Sequence, residues 1–254
     1  MNISLAAEKI FTLFGQPITN SIFTAWIVMA ILIIAAIVLR QVLTKIPGKF
    51  QNTIELVYLY FIDNTETIIG RRDVAKEVFP YIMTLFLFIT VSNWTEVLPT
   101  GNGSFGIANA AGIISFIRPP STDLNMVAGM AIISVFFVQY LGLKYGGGLQ
   151  YLKKFFNFSS GVGLFVGILE LISEFSRIIS FTFRLFGNIF AGEVLVTVIF
   201  YLTIHLIPFF PILPLPFYLL ELFVGVIQAF VFSFLVIVLT SVAIMGHGEG
   251  APAH

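Results

Sequence analysis

Four windows of the chain carry no charged residue and are long enough to cross about 30 Å of hydrocarbon: 21–39, 78–95, 124–143 and 222–246. A fifth apolar stretch, 155–207, is interrupted by a handful of charges. Residues 48–69, KFQNTIELVYLYFIDNTETIIG, differ: Ile54, Val57, Tyr58, Phe61 and Ile62 recur at helical spacing with charges between them. That pattern predicts an amphipathic helix lying along a membrane surface. Residues 99–121, rich in Gly, Asn and Pro, predict an irregular loop. PFFPILPLP at 208–216 holds four prolines, cannot be helical throughout, and predicts a turn. The fold expected is an all-α polytopic membrane protein of one domain with about five to six membrane helices. Its pieces are an outer N-terminal segment (1–20), a first transmembrane helix (21–43), an interfacial helix (48–69), membrane helices at 78–98 and 124–143, a steeply tilted hairpin (161–246) and a tail (247–254).

Composition agrees with lipid as the surroundings. Hydrophobic residues are 58% of the 254 and charged residues 10%, too few charges to cover a water-soluble surface. Thirteen basic and thirteen acidic residues cancel, which gives no basic stripe and no reason to expect nucleic acid. The absence of cysteine removes disulfides, iron–sulfur clusters and thiolate metal sites. Three scattered histidines offer no metal spacing, so neither metal nor cofactor is expected.

Basic residues orient the helices. Arg40, Lys45, Lys49, Arg71, Arg72, Lys76, Lys144, Lys153 and Lys154 fall on one side, against Lys9 and Arg118 on the other. The positive-inside bias puts 40–77 and 144–160 in the cytoplasm, the N-terminus outside and the C-terminus inside. The first 20 residues lack a basic n-region, so the first apolar run is read as a retained helix.

No proline interrupts Gly161 to His205. As one helix this stretch would be about 65 Å long, roughly twice the hydrocarbon thickness, so it must tilt, bend or break. At about 100° per residue, Glu170, Ser173, Arg177, Ser180 and Asn188 fall within roughly 40° of Arg184. Glu174 lies at the edge of this stripe and Glu193 on the opposite face. Glu221 and Gln228, seven residues apart, share a face of the last helix. Charged groups at such depth cost at least about 2.5 kcal/mol each near the bilayer centre and so call for partners. Ion pairing within the helix accounts for Glu170, Glu174 and Arg177. Arg184 has no acid three or four residues away on its own helix, and Glu221 is the alternative partner across the hairpin. Small residues flank the stripe: Gly187 and Ala191 beside Arg184, Gly225 and Ala229 beside Gln228. They fit either close packing of the two helices or a groove for another polypeptide.

SFTFRLFGNIFAGEVL at 180–195 and VIQAFVFSFLVIVLTSVAI at 226–244 closely resemble the a subunits of F-type ATP synthases, as do PSTDLNM at 120–126 and the run 79–99. The resemblance implies a non-catalytic stator subunit that passes protons to and from the carboxyls of a rotating ring, the c-ring. Partners implied are that ring, the peripheral stalk subunit b, the rest of the complex and the bilayer, in a bacterial plasma membrane in preference to a mitochondrial inner membrane. The family's essential arginine corresponds to Arg184. Asn188, Glu193, Glu221 and Gln228 are expected in an outer half-channel, and Glu170, Glu174 and Asp123 in an inner one. Where some family members have a histidine this chain has Glu221, so a His–Glu relay is replaced by two carboxyls. No phosphate-binding loop of the G-x-x-x-x-G-K-[ST] type is present. A stand-alone transporter would favour internal repeats and broken helices, and an intramembrane enzyme a nucleophile–base or metal pair; the sequence has neither pattern.

Overall fold

The structure, a computed structural model, describes residues 7–13, 15–95, 106–109, 112–115, 117–148, 151, 155, 161–205 and 212–245. It is helical apart from two small antiparallel hairpins: β1 (Lys9–Leu13) with β2 (Gln16–Thr19), and β3 (Gly106–Asn109) with β4 (Gly112–Ser115). The helices are α1 (Asn20–Val42), α2 (Lys49–Ile69), α3 (Arg72–Trp94), α4 (Leu124–Tyr145), α5 (Gly161–His205) and α6 (Leu215–Met245). All but α2 are long and apolar enough to span a membrane.

Helix boundaries follow local chemistry. Thr19 caps α1, its Oγ1 accepting from the Ile22 N–H at 3.4 Å. Gly70 ends α2 with φ of 74°, the left-handed conformation that glycine reaches at little cost. Asp123 opens α4: its Oδ1 accepts from the Asn125 N–H at 3.0 Å. Hydropathy places the start of α3 near residue 78, yet the helix begins at Arg72, because a polar first turn stays helical where apolarity ends. The proline-rich segment is a turn over 212–214, after which α6 begins at Leu215 with Pro216 in its first turn; 206–211 lie outside the described residues, as do Glu96, Lys153, Lys154 and the tail. The hairpins are not in the sequence reading: short, loop-like segments of mixed polarity carry no strand periodicity.

The chain divides into two compact units. The first comprises 1–46, 84–127 and 182–231. In it the β1–β2 hairpin seats on the start of α1, with the Asn20 N–H bonding the Glu8 carbonyl at 3.0 Å and Asn20 Oδ1 accepting from the Glu8 N–H at 3.2 Å. Asn20, Ser21, Thr24, Ala25 and Val28 are buried there. From α3, Asn93 Nδ2 donates to the Gly225 carbonyl of α6 at 3.0 Å. A Cβ at position 225 would approach the Asn93 Cβ to 2.9 Å, so only glycine admits this contact.

The second unit comprises 47–83, 128–181 and 232–254. Here α2 packs by Tyr58 on Phe79 (ring centroids 4.7 Å) and Phe61 near Phe234 (5.7 Å), and its Ile68 carbonyl accepts from Ser241 Oγ at 2.7 Å. Tyr81 meets Ser134 at 2.9 Å. Glu77 joins Lys144 Nζ at 2.6 Å and the Tyr145 hydroxyl at 2.5 Å.

Candidate functional site

The absence of proline predicts helical continuity, and α5 is indeed one unbroken helix of 45 residues. Beyond Phe181 its faces separate cleanly. Thr182, Leu185, Ile189, Val196 and Thr203 are buried. Arg184, Asn188, Ala191, Leu195 and Val198, at steps of four and three, are all exposed. Nothing lies within 4 Å of where a Cβ would stand at Gly187. This stretch of α5 thus presents a cation, an amide and small side chains outward, with no packing over the glycine among the described residues.

Glu221 meets α5 at Gly192, about 80° around the helix from Arg184. It is buried, and its carboxylate packs against the α5 backbone: a Cβ at position 192 would sit 2.1 Å from its Oε1. Gly192 is eight residues from Arg184, about 12 Å along the axis. The small residues also differ in role. Gly225 packs on Asn93 of α3, while Gly187 faces open space. Gln228 is half-buried.

Glu193, on the face opposite Arg184, approaches Arg118: Nη2 to Oε2 is 4.0 Å, and the Arg118 side chain is only 8% exposed. Arg118 is anchored by its own turn, Nε donating to Thr122 Oγ1 at 3.1 Å and Nη2 to the Thr122 carbonyl at 3.4 Å. Its backbone N–H donates to Thr24 Oγ1 of α1 at 3.1 Å. Asp123 follows directly, 6% exposed, so it lies in the first unit near the start of α1. Glu170 and Glu174 belong to the second unit. Sequence reasoning counted Arg118 only as a loop charge; an arginine placed directly before Pro119 and Pro120 was the available signal.

In the second unit Arg177 pairs with Glu174, one helical turn before it, and stands 4.0 Å from Glu170. This is the ion-paired arrangement that the spacing allows. Tyr151 reaches the same cluster, a residue the sequence did not single out. It is 1% exposed, and its hydroxyl donates to Gln139 Oε1 at 2.5 Å. Burial pushes that hydroxyl up to about 12, with Glu174 and Glu170 adding to the shift and Arg177 opposing it. Gly142 makes the room, since a Cβ there would lie 2.7 Å from the ring.

Comparison with known proteins sets these residues in context. Residues 22–241 match a family model described as ATP synthase A chain. A curated relative, ATP synthase subunit a of Moorella thermoacetica, is 31% identical over 239 residues, covering 94% of this chain and 97% of its own length.

Proposed function

This chain belongs to the ATP synthase A chain family, and on that premise we propose that it is the stator proton channel of a rotary ATP synthase, with Arg184 facing the carboxyls of the c-ring. The observation that carries the reading is the outward face of α5, where Arg184, Asn188 and Ala191 are exposed and Gly187 opens on empty space. A charged stripe on an apolar helix is costly against lipid. Against a second polypeptide bearing one carboxyl per hairpin it has a purpose.

The chemistry follows from the side chain. Arginine keeps its charge at any physiological pH, so it cannot hand a proton on. It can attract a carboxylate and favour its ionised form. A ring carboxyl arrives from lipid neutral, loses its proton near Arg184 toward the exit pathway, advances, gains a proton from the entry pathway and returns to lipid neutral. Fixed between the pathways, the guanidinium also blocks direct leakage. Each proton crossing releases about 2.3 kcal/mol per 100 mV, and that work turns the ring.

The pathways are two offset half-channels. Asn188, Glu193, Glu221 and Gln228 line the outer one. Glu170, Glu174 and Asp123 line the inner one, Glu170 standing about 21 Å along α5 from Arg184. The long helices α5 and α6 lie as a slanted hairpin against the ring, and α2 lies on the cytoplasmic surface. Peripheral stalk subunit b and the ATPase head complete the assembly, and the chain itself does no ATP chemistry. The membrane is the plasma membrane of a bacterium, which the bacterial relative supports.

The test is Arg184→Lys in the assembled complex. Lysine keeps the charge and loses the planar fork. Coupled ATP synthesis is expected to be lost while the complex still forms; normal proton-driven synthesis in that variant would refute the assignment.

A further inference from the structure

We propose that Arg118 is a positioning residue for the outer half-channel: locked by Thr122, its guanidinium orients the Glu193 carboxyl and favours its proton-accepting form. The proposal rests on the reading above that Glu193 lines that pathway.

Three observations carry it. The first is burial. The Arg118 side chain is 8% exposed and stays charged there, so its surroundings must compensate the charge. The second is separation. Nη2 stands 4.0 Å from Glu193 Oε2, beyond a hydrogen bond, and that oxygen is buried with no hydrogen-bond partner among the described residues. A carboxylate clamped by a bidentate arginine has both oxygens engaged. Here the cation acts through its field and leaves an oxygen free to take a proton. The third is rigidity. Two hydrogen bonds to Thr122 fix the guanidinium, Thr122 Oγ1 itself donates to the Pro119 carbonyl at 2.9 Å, and Pro119 and Pro120 fix the backbone between them. The Thr24 hydroxyl ties the same turn to α1.

Among the described residues, three other charged groups bear on Glu193. From α6, Glu221 lies against Gly192, the residue before Glu193; from the turn, Asp123 is engaged in capping α4; on α5 itself, Arg184 projects from the opposite face. Arg118 is the cation aimed at this carboxyl.

Proton flux through the reconstituted complex, recorded against the pH of the outer compartment, tests the idea. Without the cation a carboxyl holds its proton to higher pH. Arg118→Gln is therefore expected to move the half-maximal pH upward by about one unit, about a tenfold change in proton concentration. Arg118→Lys restores most of the shift. In a Glu193→Gln background, Arg118→Gln adds no further shift. An assembled Arg118→Gln complex with the wild-type profile overturns the proposal, as does a shift that persists without Glu193. Should Arg118→Gln not assemble, Thr122→Val decides. It keeps both charges but loses the Oγ1 anchor, so an upward shift supports the proposal and an unmoved profile overturns it. Unchanged flux in Glu193→Gln alone sinks the outer-pathway reading instead, a separate result.

Discussion

The carboxylate of Glu221 rests against the α5 backbone at Gly192: a Cβ there would stand 2.1 Å from Oε1 and 2.8 Å from Cδ. Glycine inside a helix costs about 1 kcal/mol relative to alanine, so its presence at 192 has a packing reason. Removing the side chain from α5 lets an acid from α6 lie one residue away from Glu193.

Gly192→Ala should leave the fold intact and disturb the site. The atom in the way is the end of a mobile side chain, so Glu221 moves and the helix gains propensity. Unfolding temperature is expected to hold or rise slightly, while proton flux falls severalfold. Flux equal to wild type would show that the position of Glu221 is immaterial.

The outward face of α5 makes a spatial prediction. Cysteines at Asn188, Ala191 and Leu195, all exposed, should form disulfides with cysteines placed on the ring's outer helices. Cysteines at Leu185 and Ile189, each 1% exposed, should not. Equal yields from both sets would remove the ring from this face.

Asp123 separates two roles by substitution. As the cap of α4 it accepts a backbone N–H, which asparagine can also do. Asp123→Ala should lower stability by about 1 kcal/mol, and Asp123→Asn by little. If the carboxyl also takes part in proton passage, flux falls in both; wild-type flux in a stable Asp123→Asn complex confines the residue to capping.

Tyr151 gives a pH prediction whose sign can be worked out. Its hydroxyl ionises at about 12 when folded, above the ordinary value of 10.0. The folded state therefore holds this proton where the unfolded state has released it. Stability from this group is complete below pH 10 and declines as pH rises toward 12. Thermal unfolding of wild type should fall more steeply over that window than that of Tyr151→Phe; parallel slopes would contradict the burial. Gly142→Ala, which forces a Cβ to 2.7 Å from the same ring, should destabilise by about 1–2 kcal/mol net, the overpacking outweighing the gain in helix propensity.

The helices and the stripe were legible because both are local. A continuous apolar run fixes a span, and 100° per residue fixes which residues share a face, so Arg184, Asn188 and the pairing of Arg177 with its neighbouring glutamates could be read from spacing alone. The motif around RLFGN supplied the family. The strands escaped because their residues alternate weakly within loop-like composition.

Encounters between distant parts of the chain were decided only by tertiary packing. Arg118 and Glu193 are 75 positions apart, and Gly192 and Glu221 are 29 apart. Neither pair has a sequence signal linking its members, since helical periodicity says which way a side chain leaves its own axis and nothing about what another element brings to meet it. Arg118 shows the consequence: its charge was evident from the chain, but its place was set by the turn that seats it on Thr24. What lies along one helix follows from the geometry of the peptide; what lies between helices follows from how side-chain volumes fit, and a glycine at 142, 192 or 225 acquires meaning only when its neighbour is known.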